Sequence, residues 1–147
     1  MLIKIFGLFT VVNAKGKEMN QGETVTLFND MCFMAPASLI DRNIEWEEID
    51  NITVDAKFTN DNITISARLF FTEKGELVNF SSNDRFETSD GKTYKNFPWI
   101  TPVTGYTNIN GYCLPSGAKL IYRHPDGEFC YGEFDLKSIE YNCKVFR

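Results

Sequence analysis

Between residues 52 and 80 the apolar and polar positions alternate with a period of two. Ile63, Ile65, Ala67, Leu69 and Phe71 alternate with Thr64, Ser66, Arg68, Phe70 and Thr72, and just ahead of them Ile52, Val54, Ala56 and Phe58 alternate with Thr53, Asp55, Lys57 and Thr59. Successive side chains of a strand point to opposite faces, so both runs predict half-buried strands. They meet at Thr59-Asn60-Asp61-Asn62, residue types that suit a tight turn. Thr72-Glu73-Lys74-Gly75 then reverses the chain into Leu77 to Ser82. Three strands of an antiparallel meander result, with one apolar and one mostly polar face, and the apolar face has to be covered.

The cover is predicted between Asn20 and Met34, where the period changes. Val25, Phe28 and Cys32 fall on one helical stripe, with Leu27, Met31 and Met34 beside it. Asn20 with Glu23 three residues on resembles a capping box, and Pro36 stops the helix running further. Helix stripe and strand face are the two largest complementary apolar surfaces, so Phe28 and Met31 are expected against Ile65, Leu69 or Phe80. The short run Ile44 to Ile49, with Trp46 between acids, leads into the meander. Leu2 to Val12 ends like a signal peptide, in Val12-Asn13-Ala14, but Lys4 interrupts the apolar run and Gly7 lies within it. It is read as a strand that leaves through Asn13 to Lys17.

Beyond Phe80, residues 81–92 are polar and contain Asp90-Gly91, which predicts a loop or a poorly ordered excursion. Strand pattern resumes over Trp99 to Thr107, where Pro98 and Pro102 suggest an edge or a bulge. Asn110-Gly111 signals a tight hairpin into a strand from Tyr112 to Arg123. Pro125-Asp126-Gly127 turns the chain into a last strand, Phe129 to Tyr141. The whole predicts one α+β domain, residues 1–147, mainly β: a curved antiparallel sheet of about six to eight strands, a half-barrel, around one main helix.

Composition narrows the function classes. Twenty acidic against 15 basic groups give a net charge of -5, with no Lys/Arg cluster, which argues against nucleic acid or an anionic membrane surface as partner. No stretch is long and apolar enough to span a membrane. Cys32, Cys113, Cys130 and Cys143 form no C-x-x-C pair and have no His beside them, so they read as buried apolar thiols rather than zinc ligands. A disulfide among the three C-terminal cysteines stays open. The single histidine, His124, precedes a turn and reads as a solvent-facing residue. Glu45, Glu47, Glu48, Asp50 and Asp55 read as a solvated face without the spacing of a calcium loop. Sequons at Asn51, Asn62 and Asn79 read as chance. No nucleophile elbow, Walker loop or dinucleotide fingerprint occurs, and no enzyme, cofactor or metal is expected.

Several stretches carry a resemblance. Ile5-Phe6-Gly7-Leu8-Phe9 through Lys17-Glu18-Met19, Pro36-Ala37-Ser38-Leu39-Ile40 with Trp46 and Asp50, Gly111-Tyr112-Cys113-Leu114-Pro115, and Asp126-Gly127 followed by Ile139-Glu140-Tyr141-Asn142 are similar to an uncharacterised bacterial domain family of unknown function. Members are typically longer at the N-terminus, so the chain resembles their C-terminal two-thirds. The order of elements is also similar to the lipoprotein-carrier (lipoprotein localisation factor) fold, in which a curved sheet half-wraps a helix and leaves an apolar groove.

That resemblance, with 13 Phe in the chain, implies a non-enzymatic binding module holding an acyl chain or lipid between helix and sheet. Phe28, Met31, Ile65, Leu69 and Phe80 would line the groove, with Trp46 and Trp99 at its mouth. The alternative is an interaction module in which the same aromatics make a solid core. Front strands missing from the family pattern would leave Leu2 to Val12 as an unpaired edge, and a homodimer is expected there. A cytoplasmic location is expected, with the cell envelope as the alternative.

Overall fold

The computed structural model describes residues 2–144. Its main body is one open antiparallel sheet of eight strands with a single long helix against one face. Four strands run as a meander: β3 (Ile44–Asp50), β4 (Thr53–Asn60), β5 (Ile63–Phe71) and β6 (Leu77–Ser82). Next to β6 comes β9 (Trp99–Ile100), then the long β11 (Tyr112–His124). One side of β11 carries β9 and β10 (Val103–Ile109), and the other carries β12 (Gly127–Asp135).

The turns follow their residue types. Asp61 and Asn62 have φ of 48° and 64°, and Asn110 and Gly111 have φ of 54° and 86°, so both hairpins close on two left-handed residues, the geometry whose twist matches paired strands. The strand expected over Trp99 to Thr107 is broken in two. At the break, Thr101 donates its N–H to Phe80 O (2.9 Å) and Pro102 accepts from Lys119 N–H (3.1 Å), which lets the chain switch partners from β6 to β11 alone. The last strand ends at Asp135 rather than Tyr141, with Leu136 N–H donating to Ser116 O at 2.9 Å.

Two expectations at the front of the chain need correction. Leu2 to Val12 is not one edge strand of the main sheet. It is a hairpin, β1 (Leu2–Ile5) and β2 (Phe9–Asn13), forming a two-stranded sheet of its own, because Gly7 and Phe6 take left-handed φ of 71° and 51° and fold the run in half. The helix α1 spans Lys17–Met34 and so begins before Asn20. Asn20 lies inside it, donating its N–H to Gly16 O (3.0 Å), and no capping box forms. Gly16, at φ 113°, turns the chain directly into the helix, and Glu18 in the first turn suits the positive end of the dipole. Pro36 opens a 3-10 turn, Pro36–Ile40, that carries the chain off the helix end.

One face of α1 is buried through Val25, Phe28, Cys32 and Phe33, whereas Leu27 is half-exposed. Phe28 stacks on Phe58 of β4 (5.1 Å between ring centroids) and meets Phe80 of β6 edge-on at 5.8 Å, and Phe80 meets Trp99 edge-on at 6.1 Å. A buried polar tie accompanies this contact: Thr101 Oγ1 donates to Asn29 Oδ1 at 2.6 Å, joining helix to sheet.

The polar run after β6 is not a simple loop. β7 (Phe86–Glu87) and β8 (Lys95–Asn96) pair with each other, and this strap, residues 83–97, lies across the helix and β11. At its start Asp84 accepts from Ser66 N–H of β5 at 2.6 Å, where β6 has ended and left that side of the strand unpaired by another strand.

Candidate functional site

The residues expected to line an acyl groove are brought together, but against one another. Phe28, Ile65, Leu69, Phe80 and Trp99 are all buried in one continuous core, with Met31 partly buried at its margin. Trp46, on the edge strand β3, is 43% exposed, and its ring lies 6.0 Å from that of Phe28. Trp46 also lines an open depression of about 630 Å³ that crosses β3 to β6, where Arg68 grips Asp55 through two hydrogen bonds of 2.7 and 2.8 Å. The bond from Arg68 holds the Asp55 carboxyl below its usual range. Trp99 is not at a mouth. It is 1% exposed, and its Nε1–H donates to Tyr131 OH at 3.0 Å.

That hydrogen bond leads to a second group of residues, on the sheet beyond the helix. Arg85, from the strap, lays its guanidinium over Trp99 at 4.8 Å, with the rings of Tyr122 and Tyr131 at 5.7 and 5.8 Å. Its Nε donates to Thr26 Oγ1 of the helix (3.3 Å) and its Nη1 to Tyr122 OH, which in turn donates to Phe86 O at 3.1 Å. One side chain thus fastens strap, helix and sheet together. Burial pushes the Tyr122 hydroxyl up to about 12 and raises that of Tyr131, the nearby guanidinium opposing both. Burial also raises the Asp30 carboxyl on the same side of α1.

From Tyr122 an aromatic row continues along β11 and β12. Tyr131 stacks on Tyr122 (5.4 Å, 28°), Phe129 stacks on His124 (5.8 Å, 27°), and Phe129 and Tyr131 lie 6.5 Å apart. Alternation explains the row: Tyr122 and His124 share one face of β11, Phe129 and Tyr131 share one face of β12, and Phe129 sits opposite Tyr122 in the ladder.

His124 is not the solvent-facing turn residue expected from its position. Its side chain is 23% exposed, with Nε2 3.0 Å from Glu87 Oε2 of the strap and the Phe97 ring 4.4 Å away. The two paired side chains form a wall of an open depression of about 490 Å³ between the strap and the turn after β11. On the strap side Asp90 accepts backbone N–H bonds from Thr93 (2.7 Å) and Lys92 (2.8 Å), which hold its carboxyl down at about 2 and its loop in one shape.

Other candidate chemistry is sparse. Of the four cysteines expected as buried thiols only Cys32 is buried, its thiol pushed up to about 12 by burial, while Cys113, Cys130 and Cys143, on β11, β12 and the segment after it, are exposed free thiols. Among the described residues no group of three or more His, Cys, Asp or Glu is placed to hold a metal ion, and no helix is long and apolar enough to cross a membrane. The acids of β3 lie exposed along an outer strand, and Asp50 accepts from Ile52 N–H at 2.9 Å in the turn that follows. Arg85, Tyr122, His124, Phe129 and Tyr131 are the candidate site residues that motif reasoning passed over. The signal for four of them was the i, i+2 spacing of ring residues, Tyr122 with His124 and Phe129 with Tyr131, on the two sides of Pro125-Asp126-Gly127.

No curated protein and no solved structure matches the chain. A family model does match, over residues 1–134, from the first hairpin to the end of the aromatic row. The chain belongs to that family, DUF6544, a family of unknown function.

Proposed function

We propose that this protein is a non-enzymatic binding module that works at its surface, on the aromatic face of β11 and β12, rather than by enclosing an acyl chain. The observation that carries this reading is the packing of Phe28. Its ring has no exposed surface and is held against Phe58 and Phe80, so side chains of the core itself occupy the space an acyl chain would need. The aromatic face supports the same reading from the other side, since Phe129 and Tyr131 remain 48% and 40% exposed although other rings stack on them. Exposed, backed aromatics are the usual anchors of recognition surfaces.

The test is a titration with fatty acids and phospholipids of increasing chain length, followed by tryptophan fluorescence. Both tryptophans report on the helix–sheet interface, Trp99 from inside the core and Trp46 from its rim beside Phe28. No saturable change is expected at any chain length. A saturable change that Phe28→Trp abolishes would overturn the reading and return the acyl chain to the interior.

A further inference from the structure

We propose that the Phe129–Tyr131 face, with the depression beside His124, is a binding site for a neutral, polyhydroxylated sugar chain; this rests on the reading of the protein as a surface-acting binding module. Three features of the site lead to this ligand class.

The first is the pair of ring faces. Tyr131 is backed by Tyr122 and fixed by the Trp99 indole N–H, and Phe129 is backed by His124. The rings nevertheless stay 48% and 40% exposed, although the Arg85 guanidinium also lies over the Tyr131 ring at 5.8 Å. Two such half-exposed rings, with centroids 6.5 Å apart and tilted by 34°, make a shallow platform on rigid strands rather than a hole for one side chain. A sugar ring presents a flat C–H face to such a platform and keeps its hydroxyls at the rim, as an aromatic surface with a wet border requires.

The second is the depression lined by His124, the residue whose ring backs Phe129. Its wall offers carboxylate acceptors from Glu87 and Asp126, a Lys95 donor, the Thr88 hydroxyl and the Phe97 ring. Hydroxyl groups both donate and accept, so they suit a wall on which donors and acceptors are interspersed. The bonds that lock the Asp90 loop, and the His124–Glu87 contact, mean that little has to be ordered when a ligand arrives.

The third is charge. The depression is lined by the carboxylates of Glu87, Asp90 and Asp126 against the single ammonium of Lys95, which disfavours phosphate, sulfate or carboxylate ligands. Its polar lining disfavours an alkyl chain. A neutral ligand rich in hydroxyls meets both conditions.

The experiment is isothermal titration of the intact chain with cellohexaose, maltohexaose and chitohexaose in parallel, with Trp99 fluorescence as a second readout. Trp99 donates to Tyr131, so a ligand seated on Tyr131 changes its emission. Saturable binding of at least one oligosaccharide is expected. Phe129→Ala and Tyr131→Ala should each weaken it by about tenfold, while Trp46→Ala, on β3, leaves it unchanged. Phe129 makes no side-chain hydrogen bond that its removal would strand, so that variant keeps the test valid should Tyr131→Ala unfold, and thermal melting separates the two cases.

The assignment is overturned if none of the three sugars gives saturable binding, or if binding survives both ring variants. It is also overturned if a library of extended peptides, and no sugar, is captured in a way those variants abolish. A lipid bound between helix and sheet would instead overturn the surface reading itself, whereas failure of sugars and lipids together removes only the sugar.

Discussion

Phe28 joins three strands to the helix at one point, since its ring meets Trp46 of β3, Phe58 of β4 and Phe80 of β6. Removing it leaves a cavity walled by rings that cannot close over it, so Phe28→Ala should cost about 3–5 kcal/mol in denaturant unfolding. A loss of only a few tenths would mean that the ring is not in the core. Tyr122 gives a prediction with a sign. Burial raises its hydroxyl from 10.0 to about 12, so the unfolded chain releases this proton first as pH rises. The stability linked to it is complete below pH 10 and is lost between pH 10 and about 12. Tyrosinate absorbance of the folded protein should show this tyrosine ionising only near pH 12, or earlier where alkali unfolds the protein first. Ionisation of every tyrosine near pH 10 without loss of structure would contradict the buried, Arg85-bonded hydroxyl. Phe28 was legible in the sequence because a helical stripe exposes its buried residues by spacing alone. Tyr122 and His124 were not, because their environment is made by Arg85 and Glu87, some 37 residues away in the chain.

Among the elements, the strap marks where local reading ran out. Residues 83–97 carry no period of two or of 3.6, and their order comes from single long-range bonds: Arg85 to Thr26 and Tyr122, Glu87 to His124, and Tyr94 OH to Lys15 O at 3.3 Å. Such bonds leave no trace in hydrophobic patterning. Arg85→Leu should therefore loosen the strap without dismantling the sheet, and limited proteolysis should then cut between residues 88 and 94 at least several-fold faster than in the parent protein. An unchanged rate would show that Arg85 is not the fastener. The hairpin turns were legible because Asp61-Asn62 and Asn110-Gly111 are residue types that tolerate positive φ. The same chemistry acted at Phe6-Gly7, where a mostly apolar run masked the turn that its glycine permits and one expected strand became two. The helix start was displaced for a related reason, Gly16 serving where a side-chain cap was expected at Asn20.

For the molecule as a whole, the sheet extends further than the helix covers. The helix and the β3 to β6 meander enclose the core, whereas β11 and β12 carry a row of rings past it, toward the strap and the His124–Glu87 pair. The α+β architecture, one helix on a large antiparallel sheet, was legible because two complementary apolar surfaces can be counted along the chain. Whether those surfaces meet tightly or leave a groove was not, since thirteen phenylalanines serve either outcome and only ring-to-ring geometry separates them. The central claim, that the interior is filled and recognition happens outside it, is tested most directly by native mass spectrometry of the protein purified from its own host. The account predicts a spectrum of the bare chain, with no retained adduct of lipid mass under conditions gentle enough to keep the fold. A lipid adduct that survives purification and disappears in a Phe28→Trp variant would contradict it.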